Sequence, residues 1–495
     1  MLGCRLHAEV LNASRCRTFN DHTDIAGIRK PNSHRSDFLM PKLYKEGIKK
    51  AMTFKELCEI TYNAGIVGAG GAGFPTHKKL TQGVEQIVIN AAECEPLMMV
   101  DHHILNKHLP ELGEALKLLI RVLKAKEAII GIKGKNMPLL DPGVLQTFSK
   151  TKIKVHEIPD IYPAGDEVVL VYETTGKIIP EGSIPINAGV IVLNVETLYN
   201  LYKAVFCSEP VIEKYITVGG DTKEDITIKA PIGMNIAELL DICNIDTSGK
   251  CVIDGGPMMG KLIDPKTAVV TKTTKGLLLF PETHSVIMRR KMPLSTVLKR
   301  ASAACCGCSM CSDVCPRYLL GYSLRVDKTI RAASHSEIQN AESFLQSSLC
   351  CGCGICTVIG CQQMLDPQAV SMEIKRLLGK NGYRRANNKA PAAVRPERAS
   401  RLVSSSKLID RLGIRKYVKD HTERRYIDFA PDRVFIPLSQ HVGKPASPAV
   451  KPGDSVSAGD IIAKTEENVL GAVIHASIGG RIEAVDKERI VITRM

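Results

Sequence analysis

The sequence has 495 residues, which predicts about three to five domains and excludes a single small module. Hydrophobic residues make up 44% and charged residues 24%, values typical of folded chains rather than disordered or fibrous ones. Aromatic residues make up only 4% and Trp is absent, which argues against single-strand nucleic-acid binding through stacked bases. No apolar run reaches the roughly 18 residues that a membrane-spanning helix requires. We therefore expect a multidomain protein without a transmembrane segment.

The net charge of +14 is concentrated in one segment. Residues 375–425 contain sixteen Lys and Arg but only four Asp and Glu. This composition is typical of a solvated linker, although a nucleic acid or an anionic partner could also bind such a stripe. We assign residues 381–430 as a basic linker.

Regular structure is predicted to begin near Met52. Residues 1–51 lack both hydrophobic periodicity and the apolar core of a secretory leader, so we expect a disordered N-terminal extension there. Strand and helix patterns then alternate over residues 52–208, which predicts an α/β domain. The short apolar runs that predict its buried strands lie at residues 84–90, 128–132 and 190–195.

Three further domains are predicted after residue 208. Residues 209–288 contain short β-rich pieces with Gly-Gly turns around a helical pattern, which indicates a small α+β domain. Residues 289–380 carry clustered cysteines between helical stretches. Residues 431–495 alternate short strands with turns such as Pro452-Gly453-Asp454, which predicts an all-β module.

Ten of the seventeen cysteines lie between positions 305 and 361, a clumping that favours a reducing cytoplasm over a secreted disulfide framework. The first run has the spacing C-x2-C-x2-C-x3-C followed by Pro316, the bacterial ferredoxin pattern for a [4Fe–4S] cluster. The second run repeats the triplet, with four residues before its last cysteine and Gln362 in place of the proline. Two [4Fe–4S] clusters are therefore predicted.

In two-cluster ferredoxins the fourth cysteine of each run binds the other cluster, which predicts two crossed ligand sets. One set is Cys305, Cys308, Cys311 and Cys361, and the other is Cys350, Cys353, Cys356 and Cys315. The adjacent Cys306 and Cys351 do not fit the spacing and are predicted not to be ligands. Two zinc sites are the alternative, but zinc would not need a third cysteine at this spacing. Such clusters carry single electrons and therefore require an electron source and an acceptor.

Gly68, Gly70 and Gly73 satisfy G-x-G-x-x-G within a glycine-rich loop at residues 65–73. A dinucleotide-binding fold needs a strand before this motif and a helix after it, whereas here a helical pattern precedes the loop and Pro75 follows. An ordinary Rossmann site is therefore not predicted. The loop could approach a phosphate through its backbone amides, or it could serve only as a tight turn.

Two longer motifs make the region recognisable. Gly68-Ala-Gly-Gly-Ala-Gly-Phe-Pro-Thr76 and Asn90-Ala-Ala-Glu-Cys-Glu-Pro96 resemble the FMN site of the flavin subunit of respiratory complex I and of Rnf C subunits. The resemblance covers most of residues 60–361 and implies an FMN domain, an SLBB-type α+β domain and a two-[4Fe–4S] ferredoxin-like domain. FMN can accept a hydride from NADH as two electrons and release them singly, which is the conversion that one-electron clusters need.

The resemblance also implies the cofactor-binding residues. They are Gly68, Gly70, Gly71, Gly73, Lys79, Asn90, Glu93, Glu95, Gly165, Glu167 and Asn194. The loop and Lys79 would hold the FMN phosphate, and Asn90, Glu93 and Glu95 would line the flavin and nicotinamide region. By spacing alone, the two glutamates could equally be solvated loop carboxylates. Ala92 stands where complex I has Asp, which makes the Rnf-like branch the closer one. No side chain is assigned as a catalytic acid or base.

Residues 431–495 resemble the barrel-sandwich hybrid fold of biotinyl and lipoyl domains. The hairpin of a carrier domain needs an exposed lysine, which residues 475–478 lack, so a packing or docking role is expected for this C-terminal module. Rnf C subunits carry a similar module at their N-terminus. The C-terminal order is similar to that of the cobalamin reductases of propanediol-utilisation microcompartments.

This resemblance implies an oxidoreductase of the cytoplasm, within a bacterial microcompartment, that passes electrons from NADH through FMN and two [4Fe–4S] clusters to cobalamin. Its partners would be a cobalamin adenosyltransferase and shell proteins, and no nucleic acid. One alternative is the subunit that receives NADH electrons in a membrane-bound Rnf-type complex. Another is a scaffold or nucleic-acid-binding protein that is stabilised by zinc.

Overall fold

The computed structural model describes residues 52–335, 341–383, 393–419, 426–466 and 469–495. The predicted N-terminal extension and part of the predicted basic linker lie outside these ranges. Within them, no helix combines the length and the hydropathy needed to cross a membrane.

The first domain is a four-stranded parallel sheet with the strand order β3-β2-β1-β5. Its strands are buried on both faces: Ile87 and Ile89 pack towards α3, while Val88 packs into a second core that includes residues of α5. The elements are α1 (Phe54–Asn63), α2 (Thr76–Lys79), β1 (Gln86–Ala91), α3 (Val100–Val122), β2 (Glu127–Lys133), α4 (Pro142–Phe148), β3 (Ile153–Ile158), β4 (Ile161–Tyr162), α5 (Glu167–Thr175), β5 (Val190–Asn194) and α6 (Val195–Tyr202).

The second domain is the predicted α+β unit. It contains a mixed sheet in which β10 runs parallel to β6, and β7 and β8 run antiparallel to their neighbours β6 and β10. Asn235 caps its central helix, since its side chain accepts a hydrogen bond from the Glu238 amide. The elements are β6 (Glu213–Gly220), β7 (Ile226–Pro231), α7 (Ile236–Ile242), β8 (Lys250–Asp254), β9 (Lys261–Ile263), β10 (Gly276–Pro281) and α8 (Ser285–Lys291).

The cysteine region is helical, as its sequence predicts. Its cysteines lie in the loops and short turns between helices, where three thiols of one run can face the same side. The helices are α9 (Leu294–Ala304), α10 (Met310–Asp313), α11 (Pro316–Leu319), α12 (Val326–Ser334), α13 (Ala341–Leu345) and α14 (Pro367–Lys380).

The predicted basic linker contains structured elements that its charge does not indicate. They are α15 (Arg398–Arg401), β11 (Val403–Ser404), α16 (Ser405–Leu412) and β12 (Tyr426–Asp428). β11 pairs with β4 of the first domain, and β12 adds a parallel edge strand beside β7 of the second. Leu408 and Leu412 of α16 are buried one helical turn apart, while the intervening Lys407 and Arg411 remain exposed.

The C-terminal module is all-β, as predicted, and consists of two sheets with the orders β13-β19-β18-β15 and β14-β16-β17. Its inward side chains, including Ile436 and Ile490, belong to the same hydrophobic core as Leu57 and Ile87 of the first domain. The strands are β13 (Arg433–Pro437), β14 (Ser447–Pro448), β15 (Ser455–Val456), β16 (Ile461–Lys464), β17 (Ile474–His475), β18 (Gly480–Val485) and β19 (Arg489–Thr493).

Candidate flavin and iron–sulfur sites

A cavity of about 440 Å³ lies at the carboxyl end of the parallel sheet. Asn90 on β1 and Asn194 on β5 are register partners there. The chain leaves β1 towards β2 on one side, whereas β5 lies on the other side, so this is the switch point at which open α/β sheets bind ligands. The volume is within the range of small-molecule sites. We call this space the flavin cavity.

Ten of the eleven predicted cofactor-binding residues line the flavin cavity. They are Gly68, Gly70, Gly71, Gly73, Lys79, Asn90, Glu95, Gly165, Glu167 and Asn194. The structure therefore gathers residues that are more than 120 positions apart in the chain. Two further residues, Tyr162 and Thr197, also contact the lining residues, although the sequence analysis assigns neither to the site.

The glycine-rich loop presents its backbone to the cavity. The Ala69 amide donates a hydrogen bond to Thr197 Oγ1 at 3.0 Å, and Gly70 packs so closely on Asn194 that a Cβ there would lie 3.0 Å from Asn194 Nδ2. At Gly71, by contrast, a Cβ would meet none of the described atoms within 4 Å. A cradle of this kind suits a phosphate group, because glycine lets backbone amides approach the oxygens closely.

Lys79 and Glu167 form an ion pair at the rim of the cavity. Lys79 Nζ donates to Glu167 Oε1 at 2.6 Å, and both side chains are partly exposed. Glu167 is the first residue of α5, whose cap Asp166 accepts hydrogen bonds from the Val168 and Val169 amides. The neighbouring Lys78 is exposed and does not line the cavity. Lys79 is therefore the lysine that the structure places to balance a phosphate charge.

Glu95 connects the flavin cavity to the second domain. Its carboxylate accepts hydrogen bonds from the Met258 and Met259 amides at 3.0 and 3.1 Å, and from the Tyr162 hydroxyl at 3.2 Å. Burial raises the pKa of Glu95, against the opposing effect of these donors and of Arg290. Glu95 is thus a held, buried carboxylate at the cavity wall rather than a solvated one.

Glu93 lies outside the flavin cavity, although the resemblance implies a lining role for it. The residue has a φ of 33°, and its carboxylate caps α3 by accepting hydrogen bonds from the Asp101 and His102 amides at 3.0 Å each. Burial, and next the charge of Asp101, raise the pKa of Glu93 to about 7. Its influence on the cavity would therefore pass through other side chains.

A buried charged network lies behind the cavity, and the sequence analysis does not predict it. Asn194 Nδ2 donates to Asp101 Oδ2 at 2.9 Å, and Lys275 Nζ lies 2.5 Å from the same oxygen. Lys214 and Glu196 form a neighbouring pair at 2.5 Å. An acidic residue at the start of an otherwise apolar helix is the one local sign of this network in the sequence.

One predicted cysteine set lies against the flavin cavity. Cys353 lines the cavity together with the non-ligand Cys351, and the Tyr162 hydroxyl donates to the Cys353 carbonyl at 2.7 Å. Cys315, Cys350 and Cys356 pack together in one hydrophobic cluster beside it. We call Cys315, Cys350, Cys353 and Cys356 the inner cysteine set.

The other predicted set lines a separate, smaller cavity nearer the surface. Cys305, Cys308, Cys311 and Cys361 all contact it, and we call them the outer cysteine set. Cys308 and its neighbour Cys306 are exposed, whereas the inner Cys353 and Cys356 are buried. Among the residues that the structure describes, no three His, Cys, Asp or Glu side chains surround a point at which a single metal ion could bind. The all-thiol donor sets suit iron–sulfur clusters.

Comparison with known proteins decides the family. Family models match at residues 61–203 (Nuo51 FMN-binding domain), 304–366 (4Fe-4S dicluster domain) and 413–494 (RnfC barrel sandwich hybrid domain). The cobalamin reductase PduS of Citrobacter freundii is 34% identical over 87% of this chain and 95% of its own length. This chain belongs to the PduS family. The PduS of Salmonella typhimurium is also 34% identical, over 90% of this chain and 98% of its own length.

More distant similarities extend beyond the PduS family. In Acetobacterium woodii, the RnfC-type component of the Na(+)-translocating ferredoxin:NAD(+) oxidoreductase complex is 31% identical, over 57% of this chain and 62% of its own length. A crystal structure of an NAD+-reducing [NiFe]-hydrogenase in the H2-reduced state is 18% identical over 70% of this chain and 71% of that chain, with a TM-score of 0.44.

Membership of the PduS family confirms the predicted class of protein. The chain is an oxidoreductase with an FMN-binding domain, a 4Fe-4S dicluster domain and a C-terminal barrel-sandwich module, and it transfers electrons through flavin and iron–sulfur centres. The flavin cavity lies in the FMN-binding match, and both cysteine sets lie in the dicluster match.

The two adjacent lysines of α2 offer a matched test of the phosphate cradle. Lys79→Met should weaken FMN binding about 10- to 100-fold, because a charge-assisted hydrogen bond contributes about 1.5–3 kcal/mol. Lys78→Met, which removes an exposed charge one residue away, should leave the affinity nearly unchanged. Titration of apoprotein with FMN, followed by quenching of flavin fluorescence, measures both. Equal affinities for the two variants would contradict the assignment of Lys79.

The raised pKa of Glu93 predicts a pH dependence of stability. The folded state keeps a proton on Glu93 up to about pH 7, whereas an unfolded glutamate loses it near pH 4.3. The folded state therefore binds more protons between these values, and this contribution to stability is lost as the pH rises from about 4.3 through about 7. Glu93→Gln should flatten the fall in the urea midpoint between pH 5 and pH 7.5. The exposed control Glu59→Gln should retain the wild-type slope, and identical slopes in all three proteins would contradict the prediction.

Proposed function

We propose that this protein is an NADH-dependent cobalamin reductase that uses FMN and two [4Fe–4S] clusters. The observation that carries the proposal is the shared wall of the two sites: the glycine-rich loop and Cys353 line the same cavity. When bound, FMN supplies the conversion of a hydride into two single electrons. A thiolate ligand at the wall of the flavin site is where a first one-electron acceptor is needed.

The residues of the flavin cavity have distinct proposed roles. The amides of the glycine-rich loop and Lys79 would bind the phosphate, while Asn90 and Asn194 would orient the flavin at the switch point between β1 and β5. Glu95, held by two amides and Tyr162, would set the polarity where the nicotinamide approaches. No proton transfer by a side chain is required for hydride transfer itself.

The burial of the two cysteine sets supports an order of electron transfer. The inner cysteine set adjoins the flavin cavity and is buried, so its cluster would receive electrons first. The outer cysteine set includes the exposed Cys308, so its cluster would deliver electrons at the surface. Arg317, which follows Cys315 by two residues, is bonded to Asp166 of the flavin domain at 2.7 Å and fixes the two domains together.

Cobalamin is proposed as the acceptor because the similarity to PduS extends over nearly the whole of both chains. The match to the RnfC-type component spans only 62% of that relative, so the membrane-complex alternative has less support. We propose a cytoplasmic location within a bacterial microcompartment, with a cobalamin adenosyltransferase and shell proteins as partners.

Anaerobic purification followed by cofactor analysis and a kinetic assay tests the proposal. We expect FMN, with iron and acid-labile sulfide equivalent to two [4Fe–4S] clusters, and NADH-driven reduction of cob(III)alamin followed by absorbance. Protein that reduces an artificial dye but not the corrin would overturn the acceptor alone. Zinc without sulfide would overturn the electron-transfer function and favour a scaffold.

A further inference from the structure

A fully buried lysine joins the flavin domain, the second domain and the C-terminal module. Lys272 lies in a turn before β10, and its Nζ donates to the carbonyl oxygens of Gly65 and Val473 at 2.7 Å each. Gly65 begins the glycine-rich loop, and Val473 precedes β17 of the C-terminal module. Burial lowers the pKa of Lys272 to about 7, so its placement is costly and is retained for its contacts.

The far end of the glycine-rich loop is held by the same two elements. The Val442 amide of the C-terminal module donates to the Gly73 carbonyl at 3.3 Å. Gly73 has a φ of 73°, and a Cβ there would lie 2.9 Å from Thr273 Cγ2 and 3.1 Å from the Gln440 carbonyl oxygen. The loop is therefore contacted at both of its ends by the turn at residues 271–274 and by the C-terminal module.

The turn and the module are themselves fastened together. The Lys272 amide donates to Gln440 Oε1 at 3.0 Å, while Thr271 Oγ1 lies within 3.1 Å of the hydroxyls of Thr273 and Thr274. Away from the loop, Ser477 Oγ donates to the Ile232 carbonyl at 2.5 Å. A module seated by such contacts and by a shared hydrophobic core is a fixed wall rather than a swinging carrier.

We propose that Lys272 and the C-terminal module clamp the glycine-rich loop in the conformation that receives FMN. A free glycine-rich loop loses more conformational freedom on ordering than other segments do, and that loss would weaken binding of a phosphate ligand. Holding both ends of the loop in advance reduces this loss. Lys272 is thus a positioning residue, and the inference rests on the proposed FMN site at the loop.

Lys272→Met in the full-length holoprotein tests the clamp against Lys266→Met, an exposed lysine of the same domain. We expect Lys272→Met to bind FMN about tenfold more weakly and to release it faster, with iron and sulfide contents unchanged. Saturating FMN should restore the wild-type rate of NADH-driven dye reduction, because the site is intact once filled. Wild-type affinity in Lys272→Met would overturn the clamp.

A glycine pair provides the second test. Gly65 and Gly249 have almost the same left-handed conformation, with φ of 66° and 65°, so alanine strains both backbones similarly. A Cβ at Gly65 would meet the Val473 carbonyl and Lys272 Nζ, whereas one at Gly249 would meet none of the described atoms within 4 Å. We expect only Gly65→Ala to lose FMN affinity.

The outcomes separate the clamp from the function on which it rests. Equal FMN affinity in Gly65→Ala and Gly249→Ala would overturn the clamp, as would loss of iron–sulfur clusters together with FMN in both Lys272→Met and Gly65→Ala, which would indicate a general role in folding. If wild-type protein binds no FMN, the proposed flavin site fails before the clamp is reached.

Discussion

Alanine at Cys350 should remove one of the two predicted clusters and abolish electron delivery to the corrin while FMN remains bound. Cys350 packs with Cys315 and Cys356, its partners in the inner cysteine set, and this set lies between the flavin cavity and the outer cysteine set. Loss of a ligand there interrupts the proposed path at its first step. We expect the rate to fall by more than the about 10–100-fold typical of partners outside the ligand shell.

The adjacent Cys351 is the matched control. It packs on the cavity side, with Cys94 and Cys353, and the spacing of the run predicts that it is not a ligand. Cys351→Ala should therefore retain the full iron and sulfide content and both reduced-cluster signals in electron paramagnetic resonance. Cys350→Ala should lose about half of the iron. The reverse pattern, with cluster loss only in Cys351→Ala, would show that the predicted ligand sets are wrong.

Much of the flavin domain could be predicted because its information is local. The strands at residues 84–90 and 190–195 are recognisable as short apolar runs, and the structure places them at Gln86–Ala91 and Val190–Asn194. Strands buried on both faces need no alternation with polar residues, so such runs identify them directly. The cysteine spacing is similarly local, since three ligands of one cluster lie within seven residues.

The partners of individual polar residues could not be predicted in this way. Glu93 and Glu95 are two positions apart and chemically identical, yet one caps α3 and the other accepts amides from the second domain. Lys272 finds its partners 207 and 201 positions away. Such contacts depend on how the domains meet, which no periodicity in a single sequence reports.

Average charge also concealed structure in the basic segment. Its positive residues dominate the composition, but the apolar residues that decide the fold are few and correctly spaced. Leu408 and Leu412 lie four positions apart and are buried, and Ile414 and Tyr417 follow them into the same core. The prediction of a linker rests on the abundant charges and overlooks this sparse helical stripe.

The buried pair of Lys214 and Glu196 carries the largest expected effect on stability. Lys214 Nζ lies 2.5 Å from Glu196 Oε2, with side-chain exposures of 0% and 2%. Burial raises the pKa of Glu196 and lowers that of Lys214, so each charge depends on its partner for compensation. Lys214→Met would leave a carboxylate buried without it and should lower the free energy of unfolding by about 3–5 kcal/mol. Anaerobic urea unfolding followed by circular dichroism measures the change.

Two further variants identify the cause of that loss. Lys229→Met breaks a pair with Glu213 at 2.8 Å in which both side chains are about one quarter exposed, and should cost no more than about 1 kcal/mol. The double variant Lys214→Met/Glu196→Gln removes the buried charge as well as its partner and should recover much of the lost stability, since the penalty belongs to the isolated carboxylate. A double variant as unstable as Lys214→Met alone would instead attribute the loss to the packing of the lysine side chain beneath the flavin site.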